Sequence, residues 1–295
     1  MEELLMEKNS HYYFRKLKAK TFKYLCLSAV LISVSVLVFL LYDIISRGIG
    51  SVNFQFINSF PSRFPAKAGI KSALFGTLWL IGLTAVICVP VSIAAAIYLE
   101  EYAKKNFLSG FISINIINLS SVPSIIYGML GLAIFVRLFS LQRSVLAGAL
   151  TMSLLVMPFI VVASREALKA VPMSLREASY AMGASRWQTV RRVVVPSAVS
   201  GMMTSIILAL SRAIGEAAPL IMIGALTFVA FVPSGPSSEF TVLSIQIFNW
   251  ISRPQAGFHE IAASAIIVLL LVLFIANGAA TFIRIRYQSG RYGRE

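Results

Sequence analysis

The sequence predicts an all-α integral membrane protein with six transmembrane helices. Three observations carry this reading. Of the 295 residues, 58% are apolar and only 13% charged, about half the charge of an ordinary soluble domain, and mean hydropathy is +0.81. Six apolar runs reach the roughly 20 residues needed to cross the hydrocarbon core. The basic residues are also lopsided. With the N-terminus inside, 18 of the 26 Lys and Arg fall on cytoplasmic segments (1–23, 100–110, 164–196 and 284–295) and 7 on the external ones, as the positive-inside rule requires. This distribution accounts for the net charge of +14. Nucleic-acid binding is excluded by the lack of a basic stripe with interleaved aromatics.

The elements follow in order. Residues 1–21 form a polar, basic N-terminal tail. The first span is 22–45; it is too long for the apolar core of a signal peptide and has no Ala-x-Ala ending. An external loop, 46–71, carries Gly48, Gly50, Pro61 and Pro65, which are turn formers. The core runs from 72 to 283, with spans at 72–99, 111–136, 144–163, 197–231 and 258–283. A C-terminal tail, 284–295, completes the chain. The 35-residue run 197–231 is interrupted by Arg212, Gly215, Glu216 and Pro219. A double crossing there would put Arg284, Arg286, Arg291 and Arg294 outside, against the charge rule. A single crossing with a kink or a partly re-entrant end is expected.

Catalytic chemistry is not expected of this chain. Cys26 and Cys88 both lie in apolar runs, and His11 and His259 are far apart, so neither a disulfide framework nor a metal site is expected. The nearest approach to a phosphate-cradling loop, Gly69-Ile70-Lys71-Ser72, lacks the spaced glycines. Any nucleotide energy must be used by another chain.

Two places concentrate polar chemistry. The cytoplasmic segment 164–196 places Pro172 at a helix start, and then a small-residue face with Glu177, Ala178, Ala181 and Met182. Gly183 joins this helix to a second one carrying Trp187, Val190 and Val194. Small residues and Trp suit insertion into a groove on a partner; an amphipathic helix on the membrane surface, with Arg186, Arg191 and Arg192 against lipid phosphates, is the other reading. In the fifth span, Arg212 and Glu216 lie four apart and would share a helix face. Charges at membrane depth are costly and mark pathways. They read either as a neutralised pair locking helices together, or as a polar station where Arg212 offers a fork of donors to an oxyanion and Glu216 holds it in place. Asn115, Asn118, Ser120, Ser121 and Ser124 enrich the third span in polar groups. They read as interhelical hydrogen bonds or as a path lining with Ser124 an anion donor; Pro123 and Gly128 permit a bend.

The segment Glu177-Ala178-Ser179, Gly183, Val193, Val195, Pro196 resembles the EAA loop of binding-protein-dependent ABC importer permeases, with every spacing kept and Ser in place of the third-position Ala. Ser211-Arg212-Ala213-Ile214-Gly215-Glu216-Ala217-Ala218-Pro219-Leu220 is similar to a segment of the PstA family of phosphate importer permeases, with Ala217 in place of the usual Thr. Residues 95–103 (AAIYLEEYA), 121–128 (SVPSIIYG) and 249–255 (NWISRPQ) agree, and the likeness runs from about 70 to 283. The resemblance implies a MetI-like permease fold in a prokaryotic inner membrane, with both termini cytoplasmic. It implies phosphate import by alternating access, with no cofactor in this chain and ATP–Mg on a partner. Those partners would be a sister permease PstC, two copies of the ATPase PstB, and the phosphate-binding protein PstS. Glu177, Ala178, Gly183 and Pro196 would couple to the ATPase; Arg212, Glu216 and Ser124 would line the substrate path. A permease for sulfate or molybdate is the alternative within this class, and a stand-alone secondary anion transporter the alternative outside it.

Overall fold

A computed structural model describes the backbone of residues 2–104, 106–225 and 228–292, and side chains for 15–104, 106–225 and 228–286. His11, Lys105, Arg291 and Arg294 therefore lie outside the described side chains. The chain is helical, and among the described residues the one isolated β-bridge pairs Ser144 with Glu239.

The first helix, α1 (Glu2–Gly48), extends well beyond the apolar run that predicted it. It leans on the last helix, α12 (Ala256–Tyr292). The contact is closest at its end, where the backbone of Gly48 meets that of Ala263 and accepts a hydrogen bond from Ser264 Oγ at 2.7 Å. A short helix, α2 (Phe54–Asn58), is capped by Asn53 and buries Phe56 against Trp250. The second span is α3 (Lys71–Ile97), continued by one wide π-type turn, Tyr98–Tyr102.

The expected third span is not one straight helix. α4 (Phe107–Ser120) and α5 (Ser124–Gly131, prolonged by a wide turn at Leu132–Leu138) are bent by 103° about residues 121–123. Pro123 lacks an N–H and disfavours helix in the residue before it, so the ladder stops there. Asn115 Nδ2 donates to Phe111 O at 2.8 Å and Ser120 Oγ to Ile117 O at 2.6 Å. These groups bond their own helix, not a neighbour.

The fourth span, α6 (Val145–Lys169), is the most buried of the candidate spans and packs on α3, α4, α5 and α9. It starts at Ser144, whose Oγ accepts from Ala147 N. Then come α7 (Met173–Ala181), α8 (Arg186–Thr189), a wide turn (Val190–Val194) and α9 (Val195–Gly215). Helix geometry runs without a break from Arg186 to Gly215. Pro196 sits in the first turn of α9, just after the wide turn. The long run 197–231 contains one helix long enough to cross a membrane, the stretch that ends at Gly215. α9 stops at Gly215, and α10 (Ala218–Ile223), six residues and about 9 Å long, turns aside to pack on α5. Gly224, at φ +85°, ends it in the left-handed region that favours glycine. α11 (Leu243–Ile251) then leads into α12.

Close approach fixes the packing. A Cβ on Gly76 would lie 2.0 Å from the Thr241 carbonyl oxygen, and one on Gly128 2.7 Å from the Pro219 backbone. The core centres on α3, α6, α9 and α10 and includes Leu80, Met152, Ile160, Leu220 and Phe240.

Candidate substrate path and docking surface

Arg212 is in the last turn of α9, and Glu216 is the residue that ends the helix, with extended backbone (φ −77°, ψ 118°). The pair therefore straddles a helix terminus, which corrects the expectation of two charges on one helical face. The position suits Arg212, since the terminal carbonyls of a helix carry partial negative charge. Its Nε lies 3.5 Å from Glu216 Oε1, a loose pair, and the side chains are 56% and 21% exposed. The guanidinium also lies over the Phe159 ring, 4.7 Å from the centroid, where the aromatic face attracts a cation. Both charges border a cavity of about 250 Å³ between α6 and α9, whose other walls include Leu155, Leu208 and Ser205. Ser124 does not line this cavity; it begins α5 and is half-buried. Phe159 had escaped the sequence reading: one more aromatic in an apolar run carries no signal of what it faces.

On the other side of the break, Ser244 Oγ of α11 donates to the Glu216 carbonyl at 3.4 Å. On the opposite face of α9, Ser211 Oγ donates to Asn277 Oδ1 and to Ile207 O. The Arg212 segment is thus held from several sides while its guanidinium stays exposed.

Segment 164–196 forms the two expected helices joined at Gly183, whose φ of +78° turns the chain. Pro172 is one position earlier than expected, capping α7 instead of occupying its first turn. Ser185 and Gln188 form a reciprocal capping box that starts α8. Ser179, the departure from the Glu-Ala-Ala pattern, shares a 2.9 Å hydrogen bond with the fully buried Thr189 and ties α7 to α8. Glu177, Ala178 and Gly183 are exposed, and Pro196 is half-buried. Met173, Leu175, Tyr180, Met182 and Trp187 are exposed apolar residues beside them, a concentration typical of a surface that another protein covers.

Sequence reading also missed the polar contacts beneath this surface. Arg176 Nη2 pairs with Glu101 Oε1 at 2.8 Å, and Arg165 Nε with Glu100 Oε2 at 3.3 Å. The one signal was the Glu-Glu dipeptide closing an apolar run. Arg186 lies over the Tyr102 ring, 5.3 Å from its centroid. His259 is an ordinary surface residue, its Nε2 2.8 Å from the Arg253 carbonyl.

A bundle of apolar helices with one guanidinium facing a cavity, and with an apolar-patched loop between two spans, is the form of a membrane transport subunit. The chain belongs to the family described as binding-protein-dependent transport system inner membrane component, whose profile matches residues 72–288. It is therefore a membrane-embedded ABC importer permease of the MetI type. It is 34% identical over 254 residues to the probable ABC transporter permease protein YqgI of Bacillus subtilis, covering 81% of this chain and 86% of that one. It is 33% identical over 257 residues to phosphate transport system permease protein PstA 1 of Mycobacterium tuberculosis, covering 84% and 82%. Among solved structures, it is similar to a bacterial alginate ABC transporter in complex with an alginate-bound periplasmic protein (TM-score 0.65, 17% identity, 91% of this chain and 96% of that one). That likeness bears on the fold alone.

Proposed function

We propose that this chain is the PstA-type permease subunit of an ATP-driven phosphate importer. The observation that carries the reading is Arg212. It is a guanidinium set in a mostly apolar cavity, half exposed, and held only by a 3.5 Å carboxylate pair and an aromatic face. A planar fork of donors in such a place suits a multiply hydrogen-bonding oxyanion. Glu216 compensates the charge when no anion is present and yields when one arrives. Ser124 is a further anion donor reached at another stage of the path. The relatives named as phosphate transport permeases support phosphate over other oxyanions.

The chain has no nucleotide site of its own in this reading. Glu177, Ala178, Gly183 and Pro196 belong to the element that meets the ATPase. Two PstB-type ATPases with ATP–Mg supply the energy, a PstC-type sister permease supplies the other wall of the path, and a PstS-type protein delivers phosphate. Both termini and segment 164–196 are cytoplasmic. ATP binding draws the docking helices together, the spans rock to face outward, and hydrolysis resets them.

Uptake of labelled phosphate and sulfate at low micromolar concentration, with and without this gene, tests the proposal. Loss of phosphate uptake alone is expected. Loss of sulfate uptake alone would overturn the substrate, and uptake that follows the proton gradient instead of ATP would overturn the mechanism.

A further inference from the structure

The wide turn Tyr98–Tyr102 at the end of the second span has a property that no local pattern announces. Three consecutive residues in it each engage an arginine from a different element. Glu100 pairs with Arg165 of α6, Glu101 with Arg176 of α7, and the Tyr102 ring lies under Arg186 of α8. These arginines come from the end of the fourth span and from both helices of the exposed segment. An α-helical turn spaces successive side chains by about 100°. A π-type turn is wider, sets successive side chains closer together in angle, and is frequent at functional sites; here three successive side chains meet three arginines that converge from three helices.

The centre of this hub is Arg176. Its side chain is 12% exposed and that of Glu101 8%. Besides the Glu101 carboxylate, it donates to Leu168 O at 3.0 Å and to Val171 O. Leu168 is in the last turn of α6 and Val171 lies two residues beyond its end; Leu168 O also accepts from Val171 N at 3.3 Å. One guanidinium therefore joins α7, the last turn of α6 and the end of α3. Arg165 adds a bond to Ser113 of α4 at 3.0 Å, extending the hub to a fourth helix. Charge-assisted bonds shielded from water resist stretching far more than surface pairs do. A displacement of α7 must carry the end of α3 with it.

We infer that the turn Tyr98–Tyr102 is the receiver of the docking helices' motion, and that the Glu101–Arg176 pair is the positioning contact that makes α7 and the second span move as one body. This rests on the reading of α7 and α8 as the surface that meets an ATPase. It extends that reading by naming the span that is driven and the residues that drive it.

The test uses the full complex with its sister permease and ATPases. Spin labels at Tyr98→Cys and Ser174→Cys, in a Cys26→Ser, Cys88→Ser background, report the spacing of the turn and α7 with and without a non-hydrolysable ATP analogue. In the otherwise native chain one narrow distance is expected, unmoved by nucleotide. In Glu101→Gln it should broaden and shift with nucleotide, and phosphate moved per ATP should fall ~10-fold or more, as expected when a buried ion pair loses one partner. Glu101→Asp keeps the carboxylate and leaves every donor of Arg176 in place; it should recover most of both readouts, which a general packing defect at residue 101 would not allow. A Glu101→Gln complex with the native distance and native coupling would overturn the inference, as would a native distance that changes with nucleotide. If Glu101→Gln does not assemble, Glu101→Asp decides: one narrow distance unmoved by nucleotide supports the inference, and a broadened distance or a failure to assemble overturns it. A complex that moves no phosphate yet shows the expected distances would overturn the substrate reading and leave the receiver turn standing.

Discussion

Arg212 and Glu216 are drawn together across the end of α9, so the guanidinium takes part of its stabilisation from the helix terminus and depends little on its 3.5 Å partner. Arg212→Gln removes the charge but keeps a similar volume. Uptake is expected to fall ~100-fold, the scale of lost charged hydrogen bonds, while the complex still copurifies. Normal uptake by this variant would end the role of Arg212. Arg212→Lys keeps the charge and loses the planar fork. It should recover only a small part of the uptake, and full recovery would mean that charge alone is needed. These two residues were legible in the sequence because charges inside an apolar run stand out. Glu100, Glu101, Arg165 and Arg176 were not, because each pair closes over a separation of 65 or 75 residues and no local spacing betrays it. Gly131 is a different kind of residue effect. A Cβ there would lie 2.0 Å from Thr151 Oγ1, on a buried side chain of the facing helix. Gly131→Ala should cost about 1–3 kcal/mol by overpacking, read as a lower unfolding midpoint in detergent; an unchanged midpoint would show that α5 and α6 can separate freely.

At the scale of elements, the spans that hydropathy finds best are those whose ladders run unbroken, α1, α3, α6 and α12. In the third run Pro123 permits a bend, but its size, 103° about residues 121–123, was not legible, because a hydropathy window averages over a break that Pro123 makes locally. In the fifth run the break was visible as Arg212, Gly215, Glu216 and Pro219. Segment 164–196 was legible as two helices joined at Gly183, since a glycine is a local signal; the Ser185–Gln188 box, equally local, went unread. The joint makes its own prediction. Around Gly183 there is open space, so a side chain there meets no neighbour; what it meets is the φ of +78°, worth about 1–2 kcal/mol to most residues. Gly183→Asn tolerates that conformation and should keep the ATPase bound. Gly183→Trp adds both strain and bulk to the exposed surface and should release the ATPase in copurification and stop uptake. Equal copurification of the two variants, with normal uptake by both, would count against docking at this joint.

At the scale of the whole molecule, burial divides the chain after residue 40. Every described side chain from Arg15 to Leu40 is exposed, while the core clusters draw on α2, on the start of α3 and on later elements. The family match begins later still, at residue 72. An apolar helix exposed on all sides needs hydrophobicity and length to sit in a bilayer, but no particular order of side chains. The order matters only near its end, where Gly48 meets Ala263 and Ser264. Shuffling residues 22–40 at constant composition should therefore leave the isolated chain's stability within ~0.5 kcal/mol, the range of substitutions that touch nothing. An equal shuffle within α6, where most side chains are buried, should prevent folding. Unfolding midpoints in lipid nanodiscs measure both. A large loss from the first shuffle would mean that α1 packs on the chain's own core, and the boundary after residue 40 would then have to be abandoned. If the isolated chain is unaffected but the complex no longer assembles, the face from Arg15 to Leu40 is covered by another subunit, and its side-chain order was selected by that partner.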